Sequence, residues 1–135
     1  MYVKEVRVSD KMALPASELE IARIVWQIGE ATVRQVADQL PADRDVDFYT
    51  VQTYLRRLTD KGFLKCRKEG RNNLYSAAIK PDRVVSGMVT DLVDRLFDGH
   101  TLSIVQHCIQ DQGLTDAELS QLEKILQAHK AKRRK

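Results

Sequence analysis

Hydrogen-bonding and cationic side chains are concentrated in residues 48–61, a stretch whose apolar residues recur at helical spacing. The polar set comprises Tyr49, Thr50, Gln52, Thr53, Arg56 and Arg57. Glutamine can bond bidentately to adenine, the threonine methyl group can contact thymine, and arginine can bind phosphate or guanine. We therefore expect Thr50, Gln52 and Thr53 to reach base edges of duplex DNA. The two arginines are expected to bind phosphate or guanine, unless they pair with acids such as Asp60.

Three more cations, Arg67, Lys68 and Arg71, lie around a glycine-containing turn between two short apolar runs. This pattern predicts a β-hairpin, a wing over residues 64–77, whose tip could clamp the DNA backbone or enter the minor groove. Residues 51–83 hold nine Lys and Arg against three Asp and Glu. Such a concentration of positive charge indicates a surface that faces a polyanion. The alternative is an ordinary solvated charged face.

Apolar residues spaced every three or four positions predict three helices ahead of the hairpin. These helices span residues 16–28, 33–40 and 48–61. Ser17 with Glu20, and Thr32 with Gln35, have the spacing of capping boxes, and Asp47 is a predicted N-cap for the third helix. Three helices followed by a basic hairpin are typical of a winged helix-turn-helix. We therefore predict a mostly α fold with a small β-wing, in which the third helix enters the major groove.

The rest of the chain has a different charge and a different predicted role. Helices are predicted over 81–97, from 101 to the stop at Gly113, and through about 129, where Thr115 and Glu118 form another capping box. Residues 84–129 hold seven acids and two bases, so we do not expect them to face DNA. Three short helices make a poor core alone, which favours a homodimer. The alternative is that they fold back on the first domain.

The apolar residues predicted to form the dimer interface share the inward positions of these helices. They are Val85, Met88, Val89, Leu92, Leu96, Phe97, Val105, Ile109, Leu119, Leu122 and Ile125. The predicted domains are thus 1–80 for DNA binding, 81–129 for dimerisation, and a basic tail over 130–135. We expect the tail to be frayed and either to add non-specific phosphate affinity or to aid solubility.

The sequence disfavours enzymatic, metal-binding and membrane roles. It shows no Ser/His/Asp or Cys/His set, no phosphate-binding glycine loop and no metal-ligand spacing among its histidines, so no catalytic residue, metal or cofactor is predicted. Cys66 and Cys108 are expected to be reduced and buried, with a single disulfide as the alternative. The absence of an export signal in residues 1–11 and of a long apolar run predicts a cytoplasmic protein. The alternative to DNA binding is a winged-helix module for protein–protein contact.

Several motifs resemble those of one known family. They are Glu18-Leu19-Glu20, Val25-Trp26, Gly29-Glu30-Ala31-Thr32-Val33, Val36-Ala37, Thr50-Val51-Gln52-Thr53-Tyr54-Leu55-Arg56-Arg57-Leu58, Lys61-Gly62, Gly70-Arg71, Phe97-Asp98-Gly99 and Leu119. From about Leu14 to Leu126, the chain resembles the penicillinase-repressor family of winged-helix transcriptional repressors, which includes β-lactamase, methicillin-resistance and copper-responsive repressors.

The resemblance implies a homodimer that binds palindromic operators and blocks transcription. It also implies that the positions of Tyr49, Thr50, Gln52, Thr53 and Arg57 face DNA, with 67–71 on the wing. Phe48-Tyr49 departs from the small or basic residue that the family usually has there, so base preference is not carried over.

The inducing signal of the family does not transfer to this chain. The β-lactam-responsive members are cleaved by a protease at an Asn-Phe bond in the dimerisation helices, and His107-Cys108 occupies that place here. The copper-responsive members carry Cys-x-Cys pairs near the C-terminus, and this sequence has none. The sequence therefore leaves the inducer unidentified, whether it is a regulatory protease or another signal.

Overall fold

The computed structural model describes residues 14–44 and 46–134, which form two compact units, the first ending at Leu92 and the second beginning at Val93. The elements of the first unit are α1 (Ala16–Ile28), β1 (Glu30–Ala31), α2 (Val33–Gln39), α3 (Phe48–Asp60), β2 (Leu64–Glu69) and β3 (Asn72–Ala77). Then come α4 (Pro81–Phe97), α5 (Thr101–His107), a π-helical turn (Cys108–Gln112) and α6 (Asp116–Arg133). The predicted absence of an export signal falls on residues outside the described ranges.

The first unit is a three-helix core closed by a three-stranded antiparallel sheet of order β1-β3-β2. In the hairpin, Leu64 pairs with Ala77 and Glu69 with Asn72, and Gly70 takes a positive φ of 63° in the turn, a conformation that glycine adopts without steric cost. This arrangement confirms the predicted winged-helix fold. The two-residue strand β1, where Ala31 pairs with Tyr75, was not predicted because it is too short to show alternation.

One continuous apolar core joins the helices of the first unit to its sheet. It is made of Ile21, Ala22, Ile24, Val25, Ala31, Val36, Val51, Leu55, Leu58, Phe63, Leu64, Tyr75 and Val84. Val84 is fully buried at the start of α4, and Met88 packs against the same core one turn later. The beginning of α4 is therefore held by the first unit.

An ion pair connects α1 to the end of α3. Glu18 is only 3% exposed, and its two carboxylate oxygens accept hydrogen bonds of 3.0 and 3.2 Å from Nζ of Lys61. Lys61 is the C-terminal cap of α3, and Gly62 follows with a φ of 90°, which ends the helix. A buried carboxylate needs such a partner, so this pair fixes the end of α3 relative to α1.

Of the three predicted capping boxes, two are confirmed. Thr32 with Gln35, and Thr115 with Glu118, form reciprocal capping boxes. The predicted box of Ser17 and Glu20 is wrong, because α1 begins at Ala16 with Pro15 as its cap. Glu20 pairs instead with Arg44 at 3.0 Å.

The predicted fraying of residues 130–135 is also wrong for most of that segment. Helix α6 continues to Arg133, with Arg134 as its cap. The lysines and arginines of its last turn lie at the negative end of the helix dipole, and the acidic side chains of its first turn lie at the positive end. Both ends of the helix are thus electrostatically favoured.

Candidate nucleic-acid interface

The N-terminus of α3 is fixed by a single capping residue. The Asp47 carboxylate accepts a hydrogen bond of 2.8 Å from the backbone N–H of Thr50. That bond lowers the pKa of Asp47, since it favours the charged form. The cap determines which residue begins the helix, and hence which side chains face outward along it.

Helix α3 has a buried side and an opposite, outward side. Val51, Leu55 and Leu58 are fully buried in the core. The outward residues, at spacing i, i+3, i+4 and i+7, are Tyr49, Gln52, Thr53 and Arg56. Tyr49 is 76% exposed, Gln52 and Arg56 are exposed, and Thr53 is half-buried. The structure therefore brings four of the six predicted DNA-contacting residues of α3 onto one face, and Thr50 and Arg57 flank it.

The hydroxyl group of Thr53 is engaged within the helix. Its Oγ1 donates a hydrogen bond of 2.9 Å to the carbonyl oxygen of Tyr49. What Thr53 can still offer a ligand is its methyl group and the lone pairs of its oxygen.

The two arginines of α3 are exposed and do not pair with the nearby acid. The guanidinium carbon of Arg57 lies 5.9 Å from the centre of the Tyr54 ring, a cation–π contact along the same helix. Within the described residues, no ion pair joins Arg56 or Arg57 to Asp60. The alternative role expected for these arginines is therefore not observed.

Two aromatic side chains and an arginine from α2 form a stack at the start of α3. The ring of Phe48 meets that of Tyr49 edge to face, with centroids 6.3 Å apart and planes at 89°. The guanidinium carbon of Arg34 lies 5.5 Å from the centroid of Phe48. We refer to Arg34, Phe48 and Tyr49 as the Arg34–Tyr49 stack.

The wing presents its cations unequally. Lys68 and Arg71 are exposed near the turn. Arg67 instead forms two hydrogen bonds of 2.7 Å with Glu30 of β1, and another of 3.1 Å with Glu69. These bonds lower the pKa of Glu30 and raise that of Arg67. The structure thus engages Arg67 in holding strands together, whereas the sequence predicted it to be a DNA contact like its neighbours.

An open groove of about 510 Å³ separates the start of α2 from the wing and α3. Its lining residues are Thr32, Val33, Arg34, Phe48, Gln52, Arg71, Asn72 and Asn73. Sequence reasoning missed Arg34, Phe48 and the two asparagines, because nothing in their spacing shows that residues 34 and 71 lie on one groove. The groove carries two guanidinium groups and several amide groups, which suits it to the phosphates of a nucleic acid.

The residues predicted to form a dimer interface are mostly exposed. Val85, Val89, Leu92, Leu96, Ile109, Leu119 and Ile125 are exposed, and Met88, Phe97, Val105 and Leu122 are half-buried. Met88 differs from the others in packing against the core of the first unit. In the second unit, α5, the π-helical turn and α6 contain no buried residue.

The cysteines are exposed, which corrects the expectation of burial. Neither Cys66 nor Cys108 forms a disulfide bond. The described part of the chain contains no group of three or more His, Cys, Asp or Glu side chains that could hold a metal ion. Nor does any described helix combine the length and the apolar character that crossing a membrane requires.

Comparison with known proteins identifies a family that this chain matches. The model of the penicillinase repressor family matches residues 14–128. An uncharacterised 16.5 kDa protein from the ptsI 3' region of Latilactobacillus sakei is 33% identical, over 87% of this chain and 81% of its own. The penicillinase repressor of Bacillus licheniformis is 27% identical, over 87% and 92%. A solution structure of monomeric BlaI from B. licheniformis with the blaP half-operator is 30% identical, over 53% and 87%, with a TM-score of 0.46.

Proposed function

The chain belongs to the penicillinase-repressor family, a family of transcriptional repressors and not of enzymes, and we propose that it represses transcription by binding a palindromic operator as a homodimer. The observation that carries the proposal is the outward face of α3. Tyr49, Gln52, Thr53 and Arg56 lie together there, opposite a fully buried apolar side and beside a groove with two arginines.

We propose that α3 lies in the major groove, which at about 12 Å is wide enough for a helix. Gln52 is exposed and lines the groove beside the wing, so its amide group is available to bond bidentately to adenine. Arg56 lies one turn further along the same face, and together with Arg57 it supplies contacts to phosphate or guanine. Thr50, at the edge of the face, reaches base edges with Gln52 and Thr53.

In this proposal, the wing contacts the DNA backbone. Lys68 and Arg71 are exposed at its end, and Arg71 shares the groove with Arg34. Both guanidinium groups can bind phosphate oxygens through paired hydrogen bonds. Arg67 supports the wing through Glu30 and contributes to binding by keeping the strands in register.

The dimer rests on an uncovered apolar stripe on α4. Val85, Val89, Leu92 and Leu96 follow the spacing 0, +4, +7 and +11, which places them in a line along the helix, and each is between 41% and 67% exposed. Val84 and Met88, on the adjoining side, are held by the first unit. A second copy supplies the cover that this stripe lacks.

In the proposed dimer, residues 81–129 join two copies about a twofold axis. Such a dimer presents two α3 helices to two half-sites, whose centres are separated by about 34–36 Å or a multiple of it. The cations of residues 130–135 then add attraction to phosphates that does not depend on sequence.

Footprinting on genomic DNA tests the proposal. We expect protection of inverted repeats upstream of regulated genes. The Gln52→Ala variant should bind sites with the preferred adenine more weakly, by about 1–3 kcal/mol, and should discriminate less than the wild type against other bases at that position. Gln27→Ala, which removes an exposed glutamine from α1, is the matched control and should bind like the wild type. Protection of unrelated, non-repeated sequences, or an unchanged preference in Gln52→Ala, would contradict the proposal.

A further inference from the structure

We propose that Tyr49, together with the methyl group of Thr53, forms an apolar site that reads the 5-methyl group of thymine, and that Phe48 and Arg34 hold the Tyr49 ring in position. This inference rests on the proposed function, because it names the base group that the outward face of α3 recognises. Tyr49 and Thr53 are the reading residues, and Phe48 and Arg34 are positioning residues.

The exposure of Tyr49 is the first observation. At 76%, its exposed fraction is the highest among the large apolar side chains that the structure describes as exposed. It stands at the N-terminal end of a face whose other members, Gln52, Thr53 and Arg56, are polar or cationic. In the major groove, the apolar feature that distinguishes one base from the others is the thymine methyl group, so an aromatic ring on this face has a specific counterpart there.

The engagement of Thr53 is the second observation. Tyr49 and Thr53 are four residues apart and therefore neighbours on the helix surface. Because the Thr53 hydroxyl already donates to the carbonyl of Tyr49 at 2.9 Å, its proton is not available to a base. The methyl group of Thr53 and the ring of Tyr49 are thus the apolar groups that these two neighbouring positions offer to a base.

The Arg34–Tyr49 stack is the third observation. An exposed tyrosine on a helix would ordinarily sample several rotamers, and ordering it on binding would weaken the complex. The Phe48 ring meets the Tyr49 ring edge to face at 6.3 Å, and the Arg34 guanidinium covers Phe48 at 5.5 Å. Phe48 thus contacts the Tyr49 ring before DNA arrives, and Arg34 acts on Tyr49 only through its contact with Phe48. Phe48 and Arg34 also line the groove beside the wing, which links the reading site to the phosphate-binding side.

Replacing single thymines by deoxyuridine tests this inference, since that change removes only the methyl group. The duplexes carry the footprinted operator with one symmetric pair of thymines replaced at a time, and affinity is measured by fluorescence anisotropy. For the wild type, we expect one pair of positions at which the affinity ratio of thymine to uracil is about fourfold per half-site, as the burial of one methyl-sized group predicts.

Variants identify the residue responsible, because the thymine-to-uracil ratio is independent of any general loss of affinity. Tyr49→Ala should bring the ratio at that position to about one, whereas Tyr49→Phe should keep it. Thr53→Val should keep it better than Thr53→Ala. Arg34→Gln and Phe48→Ala should reduce the ratio without abolishing it, and Gln52→Ala should leave it unchanged.

Three results would overturn the inference. They are equal wild-type affinity for thymine and uracil at every position, an unchanged ratio in Tyr49→Ala, or loss of the ratio in Tyr49→Phe, which would assign the contact to the hydroxyl group. If the protein binds an inverted repeat but shows no such ratio, this inference alone fails. If it shows no sequence preference at all, the proposed function fails with it.

Discussion

At the scale of single residues, the wing shows that identical side chains close in sequence can have different roles. Arg67 and Arg71 are four residues apart in one hairpin, and the sequence gives no reason to distinguish them. The difference arises from β1, which places Glu30 opposite Ser76 of β3, and from there the Glu30 carboxylate reaches Arg67 of β2 across the middle strand. Since β1 is only two residues long, neither its pairing nor the Glu30–Arg67 bond could be predicted from a pattern.

Substitution of the two arginines should therefore give different results. Arg71→Ala should weaken operator binding and reduce the slope of log affinity against log salt by about 0.9 for each phosphate contact that is lost. Arg67→Ala should leave that slope nearly unchanged and lower the thermal stability, because it removes the partner of Glu30. Anisotropy titrations over a series of salt concentrations, with thermal melts of each variant, make the comparison. A larger change of slope in Arg67→Ala than in Arg71→Ala would refute this assignment.

At the scale of elements, the helices were predictable and some of their ends were not. The stripe of Val51, Leu55 and Leu58 predicted the buried side of α3, and the Asp47 cap predicted its beginning. The same spacing rule failed at Ser17, because Pro15 already provides the entry and α1 starts at Ala16, two residues earlier than a serine cap at position 17 requires. The Arg34–Tyr49 stack could not be predicted, since it depends on how α2 packs beside α3. A spacing rule describes a helix end only where no neighbouring residue competes for it.

One threonine and one serine substitution compare the observed cap at Thr32 with the cap that the sequence wrongly predicted at Ser17. Thr32→Ala should lower the free energy of unfolding by about 1 kcal/mol, because it removes the oxygen that accepts from the backbone N–H of Gln35. Ser17→Ala should change it by no more than about 0.5 kcal/mol, since Ser17 makes no capping bond. Chemical denaturation of both variants measures the difference. Equal destabilisation by the two substitutions would mean that the capping geometry has been assigned wrongly.

At the scale of the whole molecule, the predictable part is the division between a cationic winged helix and an acidic helical segment. Along the chain, the division between the two units falls between residues 92 and 93, within α4, whereas the change of charge and of element type suggested a boundary after residue 80. The difference has a packing cause, because Val84 and Met88 are apolar residues that the first unit covers. Periodicity identifies apolar positions but does not tell which of them a core covers and which remain for a partner.

A charge on the exposed stripe of α4 should prevent dimerisation. Leu96→Glu, at a residue 67% exposed, should shift the sedimenting species from twice 15.4 kDa towards 15.4 kDa at micromolar concentration. It should also weaken binding to a full operator more than to a half-site, because the two half-sites would then be filled independently. Thr90→Glu, on another side of α4, is the control and should remain dimeric. A wild-type protein that sediments as a monomer would exclude the dimer.

The two sides of α3 also bear on how regulators of this kind diversify. The residues that keep the helix in its place, such as Leu55, share no position with those that face outward, such as Tyr49. After gene duplication, a paralogue can therefore exchange its outward side chains and acquire a new set of target promoters without losing the ability to fold. Position 49 is well suited to such change, since a substitution there alters what the surface reads and leaves the apolar interior untouched.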